Sequence, residues 1–332
     1  MDRRQCVRAG VAAAAAAALP PLYRRAQAAQ PVWLSWPADT PWKTLAVRLA
    51  LRLGYTAAEG LQVRAVRPGA AVAPGSGPRV HAGGIDFVLR QNLDGEAERA
   101  FWGLARTPQL GFALRHASNG ADAGVAARLR DGRIGVAAHD PMAAYVASLV
   151  LLAHGVRPRP GQLVLWTDAD EAQTALVQGD VDAVCVGDPL LTRWQQAGAI
   201  RVLSDTRYAA ESQRLLGGPV VCACLSASAR DIAEHGPTLR ALVRAVQRAG
   251  RWLQTASAMD LVPYADLADL AGDPGMFVTV VTHTRESWMV DGSLDERSFH
   301  HVLRVLRTLS DSERYEALTP ERLVATRWSA SG

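Results

Sequence analysis

The sequence has a single lysine, Lys43, beside 35 arginines, and outside its first 28 positions it has no excess of positive charge. Five of the 36 basic residues and one of the 32 acidic residues lie in those positions, which leaves 31 of each in the rest of the chain. A nucleic-acid-binding protein needs a basic face that displaces counterions from phosphate. The charge balance therefore argues against a nucleic-acid partner, and we interpret the scarcity of lysine as coding bias.

Long hydrophobic runs are absent as well. Beyond the first 20 positions no apolar run reaches the roughly 18 residues that a transmembrane helix needs. The chain is 49% hydrophobic and 20% charged, too apolar for a disordered protein. Its 332 residues exceed the roughly 100 to 200 residues of one domain, so we expect two domains.

Cysteines and catalytic motifs are also scarce. The cysteines after the first 28 residues, Cys185, Cys222 and Cys224, are too few for a disulfide framework, have no zinc-site spacing, and are expected to be buried free thiols. The sequence has no Gly-x-Ser-x-Gly elbow, phosphate loop, dinucleotide fingerprint or His-Glu-x-x-His motif, and His300-His301 lacks metal-site spacing. These absences predict a protein that is not an enzyme and has no catalytic residues, metal or cofactor.

The first 28 residues have the pattern of an export signal. Arg3-Arg4 precede an apolar stretch over residues 9–19, Pro20-Pro21 and small residues at Ala26 and Ala28. The paired arginines and the alanine-rich core are similar to a twin-arginine signal, although Cys6 and Val7 stand where that pattern prefers Phe and Leu. We expect cleavage near Ala28 and a periplasmic protein. The alternative, an amphipathic helix of the mature fold, is disfavoured because two prolines would break it.

After residue 28, short apolar runs alternate with helical patterns, which is typical of α/β folds with mainly parallel sheets. Helix signals include Thr40 with Pro41, Asp140 with Pro141, and a capping box at Thr167. The pattern predicts strands over residues 31–36, 61–66, 85–89, 110–114, 134–138, 162–166, 181–186, 200–203 and 220–225, a helix over 96–105, and a mostly helical chain beyond 226.

Several stretches resemble the periplasmic solute-binding proteins of nitrate, sulfonate and taurine-type ABC importers, a family that shares its domain with proteins of thiamine-pyrimidine metabolism. They occur in family order and span nearly all of the chain after the signal: Gly54-Tyr55, Glu59-Gly60-Leu61-Gln62-Val63, Ala82-Gly83-Gly84-Ile85-Asp86-Phe87, Leu129-Arg130-Asp131-Gly132-Arg133-Ile134-Gly135-Val136, Ala175-Leu176-Val177-Gln178-Gly179-Asp180-Val181-Asp182-Ala183 and Asp188-Pro189.

The resemblance implies a two-lobed periplasmic-binding-protein fold of type II, the Venus flytrap, in which the chain crosses twice between lobes. We expect the crossings near residues 111–115 and 219–222, so that residues 29–113 and 222–332 form the first lobe and 114–221 the second. The implied function is a monomeric receptor that delivers a small molecule to an ABC permease and ATPase complex. A sensor module for a signalling partner and an exported enzyme related to thiamine-pyrimidine metabolism stay as alternatives.

Candidate ligand-binding residues follow from the carboxyl ends of the predicted parallel strands, where α/β sheets bind ligands. Trp36 is the preferred stacking wall, since Trp42 lies on the apolar stripe of its helix and could equally be core. Asp140 is expected to be an N-cap whose carboxylate would repel an anion, which favours a neutral or cationic nitrogenous ligand. Arg90 favours an anion, unless it pairs with an acid such as Asp94. The complete set is Trp36, Asp39, Thr40, Trp42, Arg90, Asn92, His139, Asp140 and Asp188.

Overall fold

Two five-stranded sheets form the framework of the protein, for which a computed structural model describes residues 31–38, 41–73, 75–116, 124–309 and 315–325. The first sheet contains β1 (Val32–Ser35), β2 (Val63–Val66), β3 (Arg79–Gly84), β4 (Glu98–Ala105) and β10 (Ala223–Ser228), in the order β2-β1-β3-β10-β4. The second contains β5 (Leu110–Arg115), β6 (Ile134–Ala137), β7 (Leu163–Trp166), β8 (Ala183–Gly187) and β9 (Ile200–Asp205), in the order β7-β6-β8-β5-β9.

Each sheet has one reversed strand. β10 is antiparallel to β3 and β4, and β5 is antiparallel to β8 and β9, whereas the pairs of β1 with β2 and β3, and of β6 with β7 and β8, are parallel. Four strands of each sheet therefore run in one direction. The prediction of an α/β protein with two mainly parallel sheets is confirmed.

The helices cover the sheets and make up most of the chain after β10. They are α1 (Leu45–Arg52), α2 (Tyr55–Ala58), α3 (Ile85–Leu93), α4 (Val125–Asp131), α5 (Pro141–Ala153), α6 (Ala169–Gln178), α7 (Leu190–Gln196), α8 (Ala209–Leu216), α9 (Ala229–Glu234), α10 (Gly236–Thr255), α11 (Ala258–Leu261), α12 (Pro274–Thr284), α13 (Glu296–Leu309) and α14 (Pro320–Leu323), with 3-10 turns at Val262–Ala268 and Arg285–Ser287. Within the described ranges, none of these helices combines the length and apolar character needed to cross a membrane.

The chain changes sheet twice. It leaves the first sheet after Ala105 and enters the second at Leu110, and it leaves the second after Asp205 and returns at Ala223. The second change includes the predicted crossing at residues 219–222. The first precedes the predicted one, because residues 110–115 pair with β8 and β9 as a strand of the second sheet. The predicted export signal over residues 1–28 lies outside the described residues.

Two predicted elements have the wrong type. Residues 85–89 belong to α3, and the third strand is the preceding segment, Arg79–Gly84. The short run over residues 85–89 is compatible with a strand or with part of a buried helix. In the structure Gly84 is the N-cap of α3, and the run forms the first part of that helix. Residues 98–105 form β4 instead of a helix, since pairing with β10 along the whole strand outweighs the helical propensity of its Glu, Ala and Leu residues.

Several boundaries also differ from the prediction. α1 begins at Leu45, after a turn over residues 41–44, and Thr40 is outside the described residues. α6 is capped by Asp168, whose side chain accepts from Asp170 and Glu171, one residue later than the predicted cap. β10 begins at Ala223 instead of 220, and the prediction missed α8. The predicted N-cap at Asp140 is confirmed, because its Oδ1 accepts from the Met142 amide at 3.1 Å.

Candidate functional site

A cavity of about 230 Å³ lies between the two sheets. On one side it is bounded by the turn before α1 and by the connection from β4 to β5. On the other side it is bounded by the carboxyl ends of the parallel strands β6, β7 and β8. Its walls include Trp42, Lys43, Pro108, Gln109, Leu110, Ala137, His139, Asp140, Ala143, Trp166, Asp168, Cys185, Gly187, Asp188, Pro189, Leu190, Arg193 and Thr284. This is the edge at which open α/β sheets bind ligands.

Lys43 and Asp140 join the two sides of this cavity. Lys43 Nζ donates to Asp140 Oδ2 at 2.9 Å, and the side chains are 9% and 13% exposed. Burial lowers the pKa of Lys43, but the charge and hydrogen bond of Asp140 outweigh it, so the pKa is raised and the ammonium stays charged. The Asp140 charge is therefore compensated within the protein.

Trp42 makes a second contact across the cavity. Its indole Nε1 donates to the Asp188 carbonyl oxygen at 2.9 Å, and its ring stacks on Phe277 with centroids 5.7 Å apart. The Trp42 carbonyl oxygen accepts from Trp288 Nε1 at 2.9 Å, and Trp288 is buried. The Asp188 carbonyl, Phe277 and Trp288 thus fix the orientation of the Trp42 indole at the cavity wall.

The Asp188 carboxylate is bound by other side chains of the protein. Its Oδ1 accepts from the Thr192 amide at 3.0 Å and hydroxyl at 2.6 Å, and Oδ2 lies 3.2 Å from Arg207 Nη1. Arg207, 1% exposed, also pairs with Asp205 at 2.6 Å. Asp188 therefore accepts from Thr192 in the first turn of α7 and pairs with a buried arginine, so both carboxylate oxygens have partners without a ligand.

Trp166, at the end of β7, forms another part of the cavity wall. Its ring packs against the backbone of Gly135 on the neighbouring strand, where an added Cβ would lie 1.9 Å from the indole. Only glycine at position 135 leaves room for this ring. Together with Leu110, Ala137 and Leu190, the two indoles make most of the cavity surface apolar.

Capping carboxylates accept from backbone amides at the starts of α5 and α6, two helices that begin at the cavity wall. In α5, Pro141 has no N–H, the Met142 amide donates to Asp140 Oδ1, and the Ala143 amide donates to the Asp140 carbonyl at 3.0 Å. In α6, Asp168 Oδ1 accepts from the Asp170 and Glu171 amides at 3.0 and 2.9 Å. An oxyanion would have to compete with these carboxylates for the amides it needs.

Ser287 links the two connections between the sheets. Its hydroxyl donates to the Arg207 carbonyl at 2.8 Å and accepts from Thr107 Oγ1 at 2.9 Å. Leu110 is held from the other side, since its amide donates to Thr206 Oγ1 at 3.1 Å and its carbonyl accepts from the Thr206 amide at 2.8 Å. The backbone on both sides of Pro108 and Gln109 is therefore fixed.

Four of the predicted site residues line the cavity: Trp42, His139, Asp140 and Asp188. Trp36, the preferred stacking wall, instead packs against the core of the first sheet. Arg90 is exposed on α3, and Asn92 is buried there and donates to the carbonyls of Val88 and Glu98. Because residues 85–93 form a helix instead of a strand and loop, Arg90 and Asn92 do not reach the cavity. Asp39 and Thr40 lie outside the described residues.

The prediction missed Lys43, Gln109, Trp166 and Arg193, all of which line the cavity. Lys43 had a signal, since it is the one exception to the use of arginine in this chain. The expected burial of Cys185, Cys222 and Cys224 as free thiols is confirmed. No group of three or more His, Cys, Asp or Glu side chains in the described ranges is arranged to hold a metal ion.

A second cavity of about 270 Å³ lies beside the first sheet and contains two unusual titratable groups, His81 and Glu98. Burial, aided by the charge of Arg90, lowers the pKa of His81 to about 4. Burial raises the pKa of Glu98 to about 7, although the Ser226 hydroxyl donates to its Oε1 at 2.6 Å. His81 also lies 3.1 Å from Ser35 Oγ and stacks on Phe87.

Comparisons with solved structures identify the fold. The chain is similar to a protein from Bordetella bronchiseptica RB50, with 24% identity, a TM-score of 0.73, and coverage of 90% of this chain and 95% of that one. It is similar to the alkanesulfonate-binding protein SsuA from Xanthomonas axonopodis pv. citri bound to MOPS, with 17% identity, a TM-score of 0.64, and coverage of 90% and 97%. The periplasmic aliphatic sulphonate binding protein SsuA from Escherichia coli matches with 14% identity, a TM-score of 0.64, and coverage of 85% and 94%.

Other solved structures with this fold differ in function. They include the periplasmic nitrate-binding protein NrtA from Synechocystis PCC 6803, with 13% identity and a TM-score of 0.50, and the desulfurization enzyme DSZB, with 18% identity and a TM-score of 0.56. No protein-family model and no curated protein matches the chain. The predicted resemblance to nitrate- and sulfonate-type solute-binding proteins is confirmed among the structural neighbours, and at these identities it establishes the two-lobed periplasmic-binding-protein fold.

Proposed function

We propose that this protein is an extracytoplasmic solute-binding receptor that holds a small organic molecule between its two lobes and delivers it to an ABC importer. The observation that carries the proposal is the cavity between the two sheets, which is walled from both sides and lined by two indoles, Trp42 and Trp166. Its volume of about 230 Å³ suits a small molecule. We further propose that the first lobe combines residues 29–109 with the chain after 222, and that residues 110–221 form the second lobe.

The contacts across the cavity support a receptor that opens and closes. The Lys43–Asp140 ion pair and the Trp42–Asp188 hydrogen bond each join residues of opposite sides. Opening of the lobes would break both, so they favour the closed arrangement. A ligand that contacts both walls binds the closed form better and therefore shifts the population toward it.

The chemistry of the walls favours an uncharged organic ligand. Lys43 compensates the Asp140 carboxylate, so the expected repulsion of anions by Asp140 is not the reason. The stronger argument is that Asp140 and Asp168 already occupy the amides at the starts of α5 and α6. Nitrate or a sulfonate group would have to displace these carboxylates to bind the amides at the starts of α5 and α6.

The proposal also includes export and partners. Residues 1–28, with Arg3-Arg4 and the small residues before the cleavage point near Ala28, would direct the protein to the periplasm by the twin-arginine route. There the monomeric receptor would meet the permease and ATPase complex at the inner membrane. The periplasmic binding proteins among its structural neighbours support this location.

A thermal-shift screen with a cavity-filling variant tests the proposal. Uncharged heterocycles, amides, sulfonates, nitrate and amino compounds are screened, and a ligand at 100 times its Kd should stabilise the protein by about 2.7 kcal/mol. Ala137→Leu adds three carbons at the cavity wall and should abolish the shift. Ala175→Leu, the same exchange on α6 outside the cavity, should retain it.

Two results would contradict the receptor. If Ala137→Leu and Ala175→Leu respond equally to the hit compound, the ligand does not bind in this cavity. If the purified protein steadily consumes the hit compound, the protein is an enzyme, as DSZB of the same fold is. Permease and ATPase genes beside the gene for this chain would favour the importer, and a neighbouring membrane kinase gene would favour a sensor.

A further inference from the structure

Gln109 is a buried side chain of the cavity wall whose hydrogen-bonding groups are unused. It is 5% exposed, and neither its amide nitrogen nor its amide oxygen has a hydrogen-bond partner among the described residues. Buried polar groups are nearly always paired, because an unpaired donor or acceptor loses its water without compensation. We therefore expect the Gln109 amide to form hydrogen bonds with a group that the protein itself does not supply.

The position of Gln109 distinguishes it from the other unpaired groups. Within the described ranges, the other buried side-chain nitrogen and oxygen atoms without a partner belong to Arg99, Trp102 and Ser212, and none of these residues lines the cavity. Gln109 combines an unpaired amide with a place in the wall between the two sheets. The missing partner is therefore expected in the cavity.

The backbone holds Gln109 in this place against its own preference. Its φ of 59° is left-handed, a conformation that non-glycine residues rarely adopt because of steric crowding at Cβ. The neighbouring residues enforce it, since Thr107 bonds to Ser287 and Leu110 bonds to Thr206. Strained residues of this kind cluster at ligand sites, where the surrounding structure fixes them.

Four other polar side chains of the cavity wall are already paired. Lys43 and Asp140 bond to each other, Asp188 bonds to Arg207 and Thr192, and the Thr284 hydroxyl donates to the Val280 carbonyl at 2.7 Å. His139 and Arg193 are exposed on the cavity wall. Among the described buried polar side chains of the cavity wall, Gln109 is thus the one left with an unpaired donor and an unpaired acceptor.

We propose that Gln109 is the specificity-determining residue of the site, and that its amide pairs with a complementary amide-type group of the ligand, such as a carboxamide, a lactam or the edge of an amino-substituted nitrogen heterocycle. This inference rests on the proposed function, because it takes the ligand to occupy the cavity. A site built around such a pair binds analogues without the donor or acceptor far more weakly, since Gln109 is then left unpaired.

Matched probes and an isosteric variant test this inference. The probes are benzamide, acetophenone, benzoate and benzenesulfonate, with the same set on a pyridine ring, titrated by calorimetry. An amide should bind at least about 10-fold more tightly than its ketone partner, which keeps the acceptor and lacks the donor. Gln109→Met should remove this difference, because the amide then loses two hydrogen bonds to residue 109 and the ketone loses one.

The same variant separates recognition from a structural role. Gln109→Met keeps the length of the side chain and removes the unpaired amide, so the melting temperature without ligand should stay the same or rise. A structural amide would give a lower melting temperature. Gln109→Glu keeps the shape and an acceptor but loses the donor, and it should weaken amide binding as well.

The outcomes distinguish the inference from the proposed function. If no amide binds, or if amides bind no more tightly than ketones, the inference is wrong. If benzoate or benzenesulfonate binds, and this binding is lost in Ala137→Leu but unchanged in Gln109→Met, the inference is wrong and the proposed receptor function stands. If Gln109→Met lowers the melting temperature of the ligand-free protein, Gln109 is structural. If none of the probes or screened compounds binds, the proposed function fails too.

Discussion

Lys43 Nζ lies 2.9 Å from Asp140 Oδ2, so the single lysine of the chain forms an ion pair between the two sides of the cavity. Lysine suits this place because its compact ammonium needs less room than the planar guanidinium of the arginines used elsewhere. The pair lets a carboxylate cap α5 without leaving an uncompensated charge in the cleft.

Removing Lys43 should destabilise the protein and weaken ligand binding. Lys43→Met leaves Asp140 mostly buried and unpaired, which should cost up to about 3 kcal/mol in the free energy of unfolding by urea. Adding Asp140→Asn, which keeps an acceptor for the Met142 amide, should recover most of the loss. Arg230→Met breaks an exposed pair with Glu234 and should cost less than about 0.5 kcal/mol. If Lys43→Met and Arg230→Met lower the free energy of unfolding equally, the buried Lys43–Asp140 pair stabilises the protein no more than an exposed pair does.

The pH dependence of stability should reveal opposing contributions from Glu98 and His81. Glu98 has a pKa of about 7 in the folded protein against 4.5 as its ordinary value, so the folded state binds the proton more tightly and loses stability from pH 4.5 to 7. His81 has a pKa of about 4 against 6.5, so the unfolded state binds the proton more tightly and stability rises from pH 4 to 6.5.

Variants should separate these two slopes. Each pKa shift corresponds to about 3 kcal/mol before solvent screening, and in the wild type the two nearly cancel between about pH 4.5 and 6.5. Glu98→Gln should make stability rise with pH in this window, and His81→Asn should make it fall. Urea unfolding at several pH values measures both. If the unfolding free energies of both variants change with pH in the same direction, burial does not set the pKa values of Glu98 and His81.

Trp42 and Trp36 should respond differently to replacement by phenylalanine. Trp42→Phe can keep the stacking on Phe277 but loses the hydrogen bond to the Asp188 carbonyl, which should weaken binding of a hit compound by about 1 kcal/mol, or about five-fold. Trp36→Phe should change the melting temperature and leave the affinity intact, since Trp36 packs against the core. An affinity loss for Trp36→Phe alone would restore Trp36 as the stacking wall.

The export prediction concerns residues 1–28. Deletion of residues 1–28 should leave a folded, soluble protein, and replacing Arg3 and Arg4 by lysine should retain the precursor inside the cell. Immunoblots of cell fractions measure both, with Arg24 and Arg25 replaced by lysine as the control. Normal export after replacement of Arg3 and Arg4 would indicate the general secretory route.

The sequence predicted an α/β protein because most strands and helices carry local signals, and the two lobes with two crossings came from the family resemblance. Asp140 with Pro141 marks the start of α5, and Gly179 ends α6 in a left-handed conformation that glycine adopts freely. By contrast, residues 85–89 and 98–105 have patterns compatible with both element types. Residues 98–105 are fixed by pairing with β10, which is distant in sequence, and residues 85–89 by the helix that begins after Gly84; periodicity reports neither.

The site was less predictable because its residues are fixed by contacts between distant segments. Trp42 reaches Asp188 across 146 positions, and Lys43 reaches Asp140 across 97. Trp36 and Trp42 look alike in sequence, and only the turn before α1 decides which of them faces the cavity. Gln109 has no sequence signal, since its left-handed backbone is imposed by Thr206 and Ser287 from remote parts of the chain.

A crystal structure of the protein with a stabilising hit compound tests the central claim most directly. We expect electron density for the compound in the cavity between the sheets, in contact with Trp42 and Trp166 and hydrogen-bonded to the Gln109 amide. Density for the compound elsewhere, above all in the second cavity beside His81 and Glu98, with the first cavity empty, would contradict it.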